Sequence, residues 1–208
     1  MLATFIMTMR GTPYYYNGDE LGMTNAGFNK IEDYQDMPTL NEYQYQLKNG
    51  GNMKAFMENV QFGCRDNGRT PFHWNDSANA GFTSGKAWLK INPNYHYINA
   101  KEQDKNPKSV LNYFRKIVEL RKNNQVLVYG KYSIIDKNNT KIYAYTKELN
   151  AEKWLILLNF SNTLAEIKTG IKTNDAKPIL WNYTEGPLLQ KTNGINQLRP
   201  YESVIYRL

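Results

Sequence analysis

The chain has 208 residues, of which 41% are hydrophobic and 13% aromatic, enough for one large or two small domains with real cores, and this excludes a disordered chain. Its net charge of +7 is carried by Lys and Arg scattered singly, without a long basic run or a nucleic-acid-binding motif, so dispersed surface lysine explains it and no nucleic-acid partner is expected. No run of about 18 apolar residues exists and the longest apolar stretch, residues 154–158, is strand-sized, so no membrane span is expected either.

The first ten residues place Leu2, Phe5, Ile6 and Met9 at helical spacing with no preceding cap, as if the chain opened inside a helix. They lack the length and the cleavage site of a secretory leader, so the expected location is the cytoplasm. Gly11 stops that helix, and the aromatic run at 12–16 reads as a short strand that ends in the Asn17-Gly18 turn. From Asp19 to about Lys105 the pattern is irregular, apart from two short helices expected around 39–47 and 53–60. Structureless stretches longer than about 15 residues are uncommon in compact domains and are usually functional. Next, Asn106-Pro107 predicts an N-cap followed by proline at the first helical position, and Val110, Leu111, Phe114, Ile117, Val118 and Arg121 recur at helical intervals. This helix is expected to end near Asn123-Asn124, with Arg121 and Lys122 at its negative dipole end. Beyond it, strands are expected at 132–135, 141–147, 153–160, 165–168, 178–183, 188–190 and 203–208. The turn clusters Lys137-Asn138-Asn139 and Thr192-Asn193-Gly194 separate them, which makes the C-terminal part an antiparallel β-sandwich or barrel.

Inside the irregular region lies CRDNGRTPFHW, from Cys64 to Trp74. A helix, a strand, a long polar loop and a helix make one unit of an α/β barrel, whose working residues sit on loops after the strand ends. The planar guanidinium forks of Arg65 and Arg69 can hold carboxylates or vicinal hydroxyls, and the faces of Phe72 and Trp74 can stack on sugar rings. The alternative is a structural network in which both arginines tie Asp66 and backbone carbonyls together. The single cysteine, Cys64, excludes an internal disulfide and a thiol pair for zinc. His73 and His96 stand apart with no acid or thiol at ligand spacing, so both are read as packing or surface residues, and neither a metal nor a cofactor is expected.

Several motifs in order, GTPYYYNGDELGM (11–23), RDNGRTPFHW (65–74), AGFT (80–83), NPNY (92–95), VYG (128–130) and LRPYE (198–202), resemble the C-terminal third of glycoside hydrolase family 13 enzymes, in particular the oligo-1,6-glucosidase group of α-glucosidases. The resemblance implies an α/β plus all-β chain: residues 1–124 form the last part of a TIM (β/α)8 barrel and 125–208 an antiparallel β-sandwich C-terminal domain. Within the first part, 1–10 would be the end of helix 7, 12–16 strand 8 and 110–122 helix 8. It further implies that Arg65 contacts the terminal glucose at the bond-cleavage site, while Arg69 is structural or orients substrate; both are taken as substrate-binding residues. Family members are retaining glycosidases with a carboxylate nucleophile and an acid/base carboxyl about 5 Å apart. In the family these acids, and a third that stabilises the transition state, lie on strands four, five and seven, all of which would precede Met1. No catalytic residue is therefore expected in this chain, and Asp19 and Glu20, adjacent on an extended segment, point to opposite faces and cannot form the flanking pair. His73 stands where glutamine is common in the family, which leaves linkage preference open. The expected partners are a small gluco-oligosaccharide and the missing N-terminal part of the barrel. The expected activity is hydrolysis of short α-glucosides, with the isolated chain inactive. Trehalose-6-phosphate hydrolase or sucrose isomerase of the same family, or a non-catalytic carbohydrate-binding module, are the alternatives.

Overall fold

A computed structural model describes residues 1–171, 176–188 and 195–208. By its contacts the chain forms two compact units, Met1–Tyr14 with Tyr113–Leu208, and Tyr15–Asn112. The sequence-based division at 124 concerns which residues are barrel and which are sandwich, a different question that compactness does not address.

Among the described residues the first unit contains seven strands: β1 (Lys131–Ile135), β2 (Ile142–Leu149), β3 (Glu152–Asn159), β4 (Ala165–Lys168), β5 (Lys177–Trp181), β6 (Ile195–Leu198) and β7 (Ser203–Arg207). Five of them form an antiparallel sheet in the order β1-β2-β3-β7-β5, and β4 pairs with β6. The β2–β3 hairpin closes at Leu149↔Glu152 over two residues, and Asn150 adopts the positive φ of 54° such a tight loop demands. Alternate residues of the large sheet (Ile142, Ala144, Leu155, Leu157, Val204, Tyr206) bury against Ala165, Ile167 and Leu198 of the small one. The opposite face is not left to water. Tyr145, Lys147, Trp154, Ile156, Leu158 and Ile205 are also buried there, under helices α1 (Leu2–Thr8) and α6 (Gln125–Tyr129). Burial on both faces is why 154–158 reads WLILL rather than alternating with polar residues.

The polar groups of α1 are accounted for. Thr4 Oγ1 lies 2.7 Å from Tyr113 Oη and 3.0 Å from Ser203 Oγ, and Thr8 pairs with Tyr145 Oη. The buried guanidinium of Arg121 donates to the carbonyls of Met7 (2.7 Å) and Met9 (2.9 Å), which the C-terminus of α1 leaves open, and to that of Gly11 (2.7 Å) in the bend beyond it.

Several expectations are corrected here. Residues 12–16 join neither sheet: a strand exists only through its ladder, and no neighbouring strand is there to supply one, so Tyr14 stands 86% exposed on a coil. Asn106 caps the end of α4 (Ala100–Lys105) instead of starting the long helix. The long helix, α5 (Val110–Asn123), is opened by Ser109 Oγ, which accepts from Asn112 N at 3.2 Å, and by Gln103 Oε1, which accepts from Leu111 N at 2.9 Å. Of the strand expected at 188–190, Leu188 lies in coil; residues 189 and 190 and the Thr192-Asn193-Gly194 turn lie outside the described residues. Three short elements, α4, α6 and β6, escaped the periodicity, because six, five and four residues are too few to establish a period.

Lys147 and Trp154 face each other across β2 and β3, both fully or almost fully buried, and neither side-chain nitrogen has a hydrogen-bond partner among the described residues. Burial pushes the Lys147 amine below its ordinary 10.5, and the cations of Arg121 and Arg10 push in the same direction. A buried charge without an acceptor is costly. Lys147→Met is therefore expected to raise stability by about 1–3 kcal/mol in urea unfolding at neutral pH. Because the folded-state pKa is depressed, the cost is full at low pH and disappears as pH rises toward 10.5, so the gap between variant and wild type should close over that rise. An equal gap at every pH would show that the ammonium is not the source.

Candidate functional site

In the second unit two helices frame the arginine-rich motif: α2 (Met37–Lys48), capped by Asp36, and α3 (Met53–Gly63), capped by Asn52, whose Oδ1 accepts from Ala55 N at 3.1 Å. Both fall where the sequence placed helices. A small core of Phe28, Tyr34, Val60 and Cys64, flanked by Leu40, Phe56 and Met57, sets α3 against the segment leading into α2. Tyr34 Oη donates to the Phe28 carbonyl at 3.0 Å, which fixes the chain just before Asp36.

After Gly63 the chain winds into a 3₁₀ turn, Arg65–Arg69, over residues that carry neither a helical nor a strand period. This turn places Asp66, wholly buried, under the entry to α2. Its Oδ2 accepts from the backbone N–H of Gln35 (2.7 Å) and of Asp36 (2.9 Å). Asp36, 4% exposed, divides its oxygens: Oδ2 accepts from Thr39 N (3.2 Å) and Thr39 Oγ1 (2.8 Å), and Oδ1 faces the arginines. Arg65 reaches Oδ1 through Nε at 2.9 Å and Nη2 at 2.7 Å; Arg69 Nη1 lies 3.3 Å from the same oxygen and 3.5 Å from Asp66 Oδ1. Burial alone would raise the Asp36 carboxyl, but the Thr39 hydroxyl and amide together with the Arg65 guanidinium outweigh it and hold the group below the ordinary carboxylate range. Both sequence-predicted arginines thus meet on one carboxylate, while the Arg65 side chain remains 60% exposed and that of Arg69 33%.

The aromatic end of the motif is held separately. Phe72 is buried and meets Trp74 edge-on at 4.7 Å, so Phe72 has no face to offer a sugar; Trp74, 55% exposed, does. His73 is buried, its Nδ1 paired with the Ile98 carbonyl at 2.8 Å, and burial holds the ring below its usual pKa. The carbonyls of His73 and Trp74 accept from Ala100 N (2.9 Å) and Lys101 N (3.0 Å). Glu20 is a turn carboxylate: its Oε2 accepts from Gly18 N at 2.8 Å. Gly18 has φ 103°, and a Cβ there would meet Met23 Sδ at 2.9 Å. Cys64 is buried, with Sγ 3.5 Å from Thr39 Oγ1.

Sequence reasoning missed Asp36. Its signal was present, an Asp followed by Pro at the second helical position and Thr at the third, which is an N-terminal capping pattern; nothing local shows that the second carboxylate oxygen is turned toward a motif 29 residues away.

The family profile described as "Alpha amylase, catalytic domain" matches residues 1–130. The oligo-1,6-glucosidase of Bacillus cereus is 40% identical over 213 residues, an alignment covering 100% of this chain and 37% of that protein. The trehalose-6-phosphate hydrolase of Bacillus subtilis is 37% identical over 212 residues, with the same coverage. Among solved structures, an isomaltulose synthase variant of Erwinia rhapontici in complex with sucrose superposes with a TM-score of 0.88 at 42% identity, over 99% of this chain and 37% of that one. The chain spans 37% of the length of each of these relatives.

The geometry separates holding from presenting. Asp66→Ala removes a buried acceptor from two backbone N–H groups and is expected to cost about 3 kcal/mol. Arg65→Ala, at an exposed position, should cost less than about 1 kcal/mol. Urea unfolding of both variants checks this, and equal losses would place Arg65 among the structural residues.

Proposed function

This chain belongs to the α-amylase family, matched over residues 1–130, and from that premise we propose that it is the C-terminal portion of an α-glucosidase of the oligo-1,6-glucosidase type, acting on short α-linked gluco-oligosaccharides. The observation that carries the proposal is the exposed guanidinium of Arg65, anchored on buried Asp36 within a chain that aligns along its whole length with 37% of an oligo-1,6-glucosidase.

In this reading residues 1–124 complete a (β/α)8 barrel, with 12–16 as its last strand, and 125–208 form the C-terminal sandwich domain. The coil at 12–16 fits a strand whose two neighbours belong to the preceding polypeptide. That polypeptide also supplies the reacting acids: a nucleophile that attacks the anomeric carbon and an acid/base that protonates the leaving oxygen. Arg65 donates from its exposed edge to hydroxyls of the terminal glucose and fixes the ring for attack, the kind of pre-organisation that removes orientational entropy from the barrier. Arg69, less exposed and shared between Asp36 and Asp66, keeps the carboxylates in place. No helix among the described residues is long and apolar enough to cross a membrane, and a cytoplasmic enzyme is the setting that suits short oligosaccharide substrates. Hydrolysis of a phosphorylated disaccharide, or isomerisation of sucrose, is the second reading, favoured by the relatives named for those reactions.

Two assays test the proposal. The purified 208-residue chain should release no nitrophenol from p-nitrophenyl α-glucoside. Joined behind the preceding barrel segments of the Bacillus cereus relative, it should restore hydrolysis, and Arg65→Ala in that fusion should lower kcat/KM about a hundredfold, as expected for losing charged hydrogen bonds worth about 3 kcal/mol. Turnover by the isolated chain, abolished by Arg65→Ala, would overturn the proposal.

A further inference from the structure

The cluster contains two carboxylates, Asp36 and Asp66, and two guanidiniums, Arg65 and Arg69. Asp33, three residues before Asp36, is itself paired with Lys90 at 3.2 Å. The charges therefore balance, although an arginine at the surface usually makes an anion site. The balance is local and directional. Asp36 Oδ1 takes the Nε–H and one Nη2–H of Arg65, so a single edge of the guanidinium is consumed and the remaining N–H groups stand on the exposed side of the residue. Asp36 is held for this task from two sides: Asp66 fixes its backbone N–H, and Thr39 occupies its other oxygen. A carboxylate held in this way cannot swing aside to let an incoming anion take its place.

We propose that Asp36 is the positioning residue of this site: it grips one edge of the Arg65 guanidinium, presents the other edge to ligand, and with Asp66 cancels the charge of both arginines, so that the site takes a neutral hydroxylated ligand and rejects phosphate. The proposal rests on the glucosidase reading only for the identity of the sugar. It also goes beyond that reading: it assigns the discrimination between neutral and phosphorylated groups at Arg65 to an acid that never touches the ligand.

Asp36→Asn is the decisive variant, because asparagine caps a helix as well as aspartate does and so preserves α2 while removing the charge. Thr39→Ala is the control, since it weakens the same cap without touching Oδ1. In the full 208-residue chain, the side-chain Nε–H resonance of Arg65, assigned through its loss in Arg65→Lys, should exchange slowly with water. It should shift with methyl α-glucoside and stay in place with inorganic phosphate. Asp36→Asn should speed the exchange at least about tenfold, since the Nε–H loses a charge-assisted bond worth about 1.5 kcal/mol or more, and should let phosphate shift the resonance. Thr39→Ala should behave as wild type. Arg65→Lys keeps the charge balance but not the planar second edge, and backbone resonances near the site should lose their response to the glucoside without gaining one to phosphate. The proposal is overturned if phosphate shifts the wild-type resonance as much as that of Asp36→Asn, or if Thr39→Ala reproduces the Asp36→Asn behaviour. If methyl α-glucoside shifts nothing while the exchange and phosphate differences persist, the positioning by Asp36 stands, and the sugar contact of Arg65 requires the preceding polypeptide that the proposed function invokes; the glucosidase reading itself is decided by the fusion assay.

Discussion

A peptide group withdrawn from water must find another polar group, and this requirement decides which segments of the chain become regular. In the first unit it is met by antiparallel ladders, by the threonines of α1 and by the Arg121 guanidinium, which collects three carbonyls where α1 ends. Residues 12–16 have the composition of a strand but no ladder to join, and they remain coil. The apolar run in β3 succeeds where TPYYY does not because β2 and β7 flank it.

The same accounting for charges separates two outcomes within one molecule. Around Asp36 and Asp66 every carboxylate oxygen has a donor, three of the donors being backbone N–H groups, and the arginines can remain partly exposed without leaving a buried charge alone. Lys147 has no such arrangement: its nitrogen is sealed between β2 and the helical layer without an acceptor, and Arg121 adds repulsion rather than relief. The first cluster is suited to a recurring task at the surface. The second stores unfavourable energy in the core, and nothing in the described structure uses it.

The candidate site was legible in the residue types more than in their relations. Arg65 and Arg69 were found because guanidiniums concentrate in a loop of no period; the structure brings both to one oxygen of Asp36, whereas the structural alternative had named Asp66, which only Arg69 reaches, at 3.5 Å. Asp36 was not found. Its helix-capping role is local, spanning three residues, whereas its grip on Arg65 depends on α3 returning the chain across a small aromatic core. Phe72 was credited with a free face that burial against Trp74 removes.

What the sequence determined by itself were properties that depend on neighbours a few residues away: helical periods in α1, α2, α3 and α5, most of the strands, the turn at Asn17-Gly18, and the order of motifs that marks the family. What only the tertiary structure decided were properties that depend on distant partners: that 12–16 stays unpaired, that β2 and β3 bury both faces, that Lys147 ends without an acceptor, and that an aspartate 29 residues upstream orients Arg65. The physical reason is range. Helix periods and caps act within one or two turns, whereas ladders, burial and ion pairs are fixed by which surfaces meet once the chain has closed on itself.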